Sequence, residues 1–157
     1  MTYEMIHTYI PIKFEELKAK YLIELQDSTD DDGILNYILF PAVFHQYVND
    51  LLRDNTDTMM LNRIFEFYED MAINGDDKVK TLLQVGLLEC LWDEKLVYDN
   101  SQQYMKSETM KLFDNVGFYL RIPEEPNVLT KRVKQPKKVK MMNILPLYKK
   151  IVHRFQK

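Results

Sequence analysis

Cysteine is nearly absent, with Cys90 the only one in 157 residues. A single thiol excludes an internal disulfide framework and a cysteine-based metal cluster, and Cys90 reads as a small buried hydrophobe. Glycine is scarce as well: Gly33, Gly75, Gly86 and Gly117 are the full set. An all-β domain draws on glycine for its turns, so this shortage points to helices. Histidine occurs only as His7, His45 and His153, never in the Glu-x-x-His pairing that a helix-borne carboxylate metal site needs. No apolar run approaches the roughly 20 residues of a membrane-spanning helix, and residues 1–13 carry Glu4 and His7 where a signal peptide would be apolar. The expectation is a soluble, cytoplasmic protein. A P-loop, a dinucleotide-binding glycine pattern and a nucleophile elbow are all missing. The sequence therefore predicts a protein that is not an enzyme, with no cofactor and no metal.

What is present is core material and a divided charge. Hydrophobic residues make up 46% of the chain, with ten Tyr, eight Phe and one Trp, which suffices for one well-packed domain. The net charge of −3 hides an asymmetry. Residues 1–120 hold 10 Lys and Arg against 22 Asp and Glu, a net of −12, whereas residues 121–157 hold 11 against 2, a net of +9. The expected organisation is an acidic helical domain over residues 1–120 and a basic C-terminal extension over 121–157.

The apolar spacing predicts an all-α fold, a compact bundle of five to six helices. Pro11 closes an opening read as extended, and no sheet is expected beyond, at most, a minor hairpin within residues 2–12 or 128–133. Phe14, Leu17, Tyr21, Leu22 and Leu25 mark a first helix. Residues 27–33 break the chain, and Asp32 is the expected N-cap of a second helix carrying Tyr37, Phe40, Phe44, Tyr47, Val48 and Leu51. Pro41 either kinks that helix or opens a new one. Met60, Leu61, Ile64, Phe65, Tyr68, Met71 and Ala72 form a regular stripe on a third. Gly75 is expected in the left-handed position past its end, with Asp76 or Asp77 capping the next helix. That helix, over residues 77–93, is apolar around most of its circumference and is expected to be central, with Leu83, Leu87 and Leu91 in the core. Helices over 98–105 and 107–120 complete the bundle. Residues 61–93 look similar to a single armadillo- or HEAT-type hairpin, but no second copy follows at that period, so a solenoid is not expected.

Candidate chemistry is thin. Residues 28–39 half-match a calcium loop, but Ser28 and Leu39 occupy the positions of its strongest ligands, so an acidic capping loop is the better reading. Glu66, Glu69 and Asp70 on one helix, and Glu89 and Asp93 on the next, read as solvated faces. His45 reads as structural. In the extension, Lys131, Arg132, Lys134, Lys137, Lys138 and Lys140, with Tyr148 and Phe155 beyond, suit either of two roles. They could dock on the acidic body and neutralise it, or contact nucleic acid or an anionic membrane surface. A short basic amphipathic helix is expected over 147–155.

The stretch 62–116, in particular RIFEFYEDMAINGDDKVKTLLQVGLLECLWD followed by YMKSETMKLFDNV, resembles a group of small uncharacterised bacterial all-helical proteins. Some of these stand beside secreted polymorphic toxins and are counted as their immunity proteins. The resemblance implies a non-enzymatic protein-binding module that neutralises a cognate toxin, with a basic toxin domain as partner. It assigns no residues. Composition supplies the surface: Glu66, Glu69, Asp70, Asp76 and Asp77 lie in an acid-rich window over residues 50–99, with Phe67 or Tyr98 as the expected exposed anchor.

Overall fold

The computed structural model describes residues 1–120, with side chains through Gly117. The basic extension, its expected docking, the hairpin expected at 128–133 and the helix expected at 147–155 lie outside the described residues. Within them the fold is helical as expected, but seven α-helices form rather than five or six.

The N-terminus is helical, not extended. A 3-10 turn at Ile6–Thr8 runs into α1 (Tyr9–Lys13). Ile6 and Ile10, four residues apart, are both fully buried. Pro11 falls in the first turn of α1, where a backbone N–H would be an orphan anyway, so it does not break the helix. A second 3-10 turn, Glu15–Leu17, leads into α2 (Lys18–Asp27). Phe14, Leu17 and Tyr21 form its inward stripe, and Leu22, one step around the helix from Tyr21, stands exposed rather than inward.

The hairpin lies elsewhere than expected: β1 (Thr29–Asp30) pairs antiparallel with β2 (Gly33–Ile34), Thr29 opposite Ile34 and Asp30 opposite Gly33. Gly33 takes a φ of +116°, a conformation only glycine adopts freely. Asp32 does not cap α3, which starts four residues later at Asn36. Its N–H instead donates to Asp30 Oδ1 at 3.0 Å, so the acidic run is consumed in building the turn.

Helix α3 (Asn36–Asp54) carries Pro41 in its interior. It ends at Asn55, whose left-handed backbone (φ 48°, ψ 35°) is one asparagine tolerates. Helix α4 (Thr58–Asn74) is capped by the Asp57 side chain, which accepts from Met60 N. Helix α5 (Asp77–Leu83) is capped by Asp76, which accepts from Val79 N. Between them Gly75 is extended (φ −74°, ψ 146°), not left-handed. Glycine is required there for space: a Cβ would stand 2.5 Å from Val79 Cγ1 and closer still to the Met71 carbonyl.

The helical run expected over 77–93 is not uniform. After α5 it widens into a π turn at Gln84–Leu88 and tightens into a 3-10 turn at Glu89–Trp92. It is central nonetheless. Val79, Leu82, Leu83, Leu87, Leu88 and Leu91 are buried, and the run packs on α3, α4, α6 and α7. Helix α6 (Lys95–Ser101) begins three residues before its expected start, and α7 (Ser107–Leu120) matches its expected span.

The core is aromatic. Phe14 meets Phe44 edge-on with ring centroids 5.4 Å apart and Phe67 at 5.5 Å, and Tyr68 approaches Phe44 at 6.2 Å. Such edge-to-face pairs add to the area term from burial. Trp92, Tyr98 and Phe113 form a second cluster joining the 77–92 run, α6 and α7, with centroids 4.7 to 5.4 Å apart. No described helix is long and apolar enough to cross a membrane.

Candidate functional site on the α4–α5 hairpin

The acidic residues singled out in the sequence divide into those that face solvent and those the fold uses. Glu69, expected at the surface, is buried at 8% exposure. It projects from α4 toward the start of α7, where its carboxylate accepts from Glu108 N (3.1 Å), Thr109 N (2.8 Å) and the Thr109 hydroxyl (2.7 Å). These are the orphan donors of a helix N-terminus, satisfied by a side chain from another helix. Burial alone would raise the Glu69 pKa, but the Thr109 and Glu108 bonds outweigh it and hold the carboxyl below its ordinary range.

Phe67, expected as an exposed anchor, is 2% exposed and sits within the aromatic core. Helix α4 packs on α3, α5 and α7, and the Phe67 ring lies against Tyr9, Phe14 and Phe44. A partner cannot reach this ring. Tyr98 is only partly exposed, in ring contact with both Trp92 and Phe113.

Asp76 is exposed yet engaged. Besides capping α5, its second oxygen accepts from Tyr3 N at 2.9 Å. The bond from Val79 N is the main cause of a lowered pKa. Asp70 is half-buried, accepting from Asn74 Nδ2 at 2.8 Å and pairing with Lys13 at 3.8 Å. Glu66 is exposed and stands 3.3 Å from Lys106. Asp77 is exposed in the first turn of α5. Glu66, Asp70, Asp76 and Asp77 therefore share the outer surface of the hairpin, while Glu69 and Phe67 do not belong to it.

Sequence reasoning missed the apolar residues of that surface. Met59 and Ile73 lie outside the buried stripe of α4 and are exposed, Ile73 beside the Asp70 turn. Their off-stripe positions were the available signal.

The remaining reactive groups serve packing. Cys90 is pushed up to about 12 by burial, which leaves no thiolate at neutral pH. His45 brings its Nε2 to 2.6 Å from the Gly86 carbonyl inside the π turn. Burial lowers its pKa, against the opposing pull of that carbonyl and of Asp93, so the ring is neutral and donates Nε2–H. Pro41, one turn earlier on α3, faces the same glycine: a Cβ on Gly86 would lie 3.8 Å from Pro41 Cγ. Among the described residues no three His, Cys, Asp or Glu side chains are grouped to hold a metal. The surface arrangement can present charge and apolar area to a partner.

The model of one protein family, described as a domain of unknown function (DUF7674), matches residues 8–120. No curated protein and no solved structure matches the chain.

Proposed function

The chain belongs to the DUF7674 family, and from that premise we propose that it is a non-enzymatic protein-binding module whose partner is another protein with a basic contact surface. The observation that carries this reading is the net charge of −12 over residues 1–120, with Glu66 and Asp77 presented on the outside of the α4–α5 hairpin. Carboxylates around a contact accelerate and orient the capture of a positively charged partner, and desolvated groups at its centre then hold it. The narrower form of the proposal is a cytoplasmic bacterial immunity protein whose partner is a cognate toxin domain, the role implied by the resemblance of residues 62–116. Its test is co-expression with the product of a neighbouring gene for a secreted toxin, followed by affinity purification. A stoichiometric complex is expected, and separate elution of the two proteins sinks this form.

A second reading is favoured by one observation, the net +9 of residues 121–157. Lys131, Arg132, Lys134, Lys137, Lys138 and Lys140 would then bind a nucleic acid or an anionic membrane surface, with affinity falling steeply as salt rises.

A further inference from the structure

Asn74 is the only asparagine in the chain that is followed by glycine. In such a pair the backbone nitrogen of glycine meets no side chain on its way to the asparagine Cγ, so the amide is open to intramolecular attack. Asn74 ends α4 and is exposed, which puts its amide in reach of water, whereas Gly75 is buried.

The fold keeps the two reacting groups engaged elsewhere. Gly75 N, the nucleophile, donates to Met71 O at 3.0 Å and so closes the last turn of α4. Asn74 Nδ2, the leaving nitrogen, donates to Asp70 Oδ1 at 2.8 Å, which draws the amide back along the helix. Just beyond, Asp76 N donates to Met1 O at 3.1 Å, and the Asp76 carboxylate accepts from Val79 N and Tyr3 N. Attack therefore needs the end of α4 to open and both bonds to part. A helix end opens at lower cost than the whole fold.

We propose that Asn74–Gly75 is a latent deamidation site, closed in the folded protein and converted irreversibly when the end of α4 opens. Gly75 N forms a bond to Asn74 Cγ and gives up its proton, which passes through solvent to Nδ2. The Cγ–Nδ2 bond breaks, ammonia leaves, and a cyclic imide remains. Water then opens the imide at one carbonyl or the other, giving aspartate or isoaspartate. Either acid places a carboxylate one turn from Asp70, where an amide had donated to it, and so creates a like-charge pair. Isoaspartate also adds a methylene to the backbone beside Gly75, where Met71 O and Val79 leave no room even for a Cβ. The modification thus makes a transient opening permanent, in the turn that carries the Asp76 cap of α5. This chemistry needs no partner protein.

The test follows the full chain at mildly alkaline pH, in native buffer and in concentrated urea, by peptide mass spectrometry that separates aspartate from isoaspartate. In urea, Asn74 should convert faster than every other asparagine. In native buffer it should convert at least about tenfold more slowly than in urea. Asp70→Ala frees the amide and should raise the native rate by about threefold or more, the worth of one hydrogen bond, without changing the rate in urea. Lys13→Ala removes the Lys13–Asp70 ion pair but keeps the amide's acceptor, and should leave the native rate unchanged. Chains carrying isoaspartate should melt at a lower temperature than the Asn74→Asp variant, which adds the charge without the methylene. Equal rates in native buffer and urea, another asparagine converting first in urea, or equal native rates for wild type and Asp70→Ala would overturn the closed site. An isoaspartate form that melts together with Asn74→Asp would overturn the permanent opening.

Discussion

Replacing Glu69 with Gln removes a charge-assisted cap from α7 without removing its volume, and one amide hydrogen then faces the Glu108 and Thr109 donors. A loss of about 1–3 kcal/mol is expected in denaturant unfolding. The pH dependence follows in sign. Because the folded carboxyl lies below its ordinary value of 4.5, its contribution is present above that value and lost as pH falls through the folded value. Glu69→Gln should therefore flatten the acid limb of the stability curve, and an unaltered limb would contradict the assignment. His45 behaves analogously at higher pH: its folded pKa lies below 6.5, so its contribution is full above 6.5 and declines as pH falls through the folded value. Its imidazole resonances should titrate below 6.5, and a midpoint above that would contradict its burial. At this scale the sequence was least legible. The helical spacing that placed Ile64, Phe65 and Tyr68 in the core could not show that Glu69 and Phe67 turn inward with them. Their burial depends on where α7 and the Phe14 ring arrive, which is a property of the tertiary fold.

At the scale of elements, the signals tied to one periodic stripe were legible, and those tied to the space between elements were not. Met60 to Ala72 gave α4, and Asp76 gave the cap of α5. Gly75 was marked as a turn residue for its backbone freedom, yet what demands it is the approach of Met71 and Val79. Gly75→Ala should therefore destabilise the protein by about 1–3 kcal/mol, a cost of overpacking. A neutral substitution would show that the α4–α5 turn yields easily. The π turn at Gln84–Leu88 was not legible, because its apolar residues fit an α-helical face equally well. It coincides with the place where Pro41 of α3 lies near Gly86 and His45 hydrogen-bonds its carbonyl. Leu87, within this turn, remains a core residue, and Leu87→Ala should cost about 2–5 kcal/mol. A loss below about 1 kcal/mol would mean that the 77–92 run is peripheral. The N-terminal helix was hidden by Pro11, which reads as a breaker until its place in the first turn is known.

Over the whole molecule, composition set the class: few glycines and many helical stripes gave a helical fold, with only the short hairpin at Thr29–Ile34 as sheet among the described residues. Charge set the functional expectation. The fold alters that expectation by spending some of the acidic residues on itself, Asp57 and Asp76 as caps, Glu69 as a buried clamp and Asp30 in a turn. Glu66 and Asp77 are left as carboxylates whose charge can be reversed without removing a cap. Opposite charge at an interface acts chiefly on the association rate, and salt screens it over about 10 Å at 0.1 M. The most direct measurement is thus the association rate of the co-purified partner with the wild type and with the Glu66→Lys, Asp77→Lys double variant, at low and at physiological salt. The account predicts a rate roughly tenfold lower for the variant at low salt, a gap that narrows as salt rises, and a melting temperature only slightly lower, since the variant loses the exposed Glu66–Lys106 pair and the acidic residue in the first turn of α5. A partner that does not bind, or one that binds both proteins at the same rate in low salt, would contradict it.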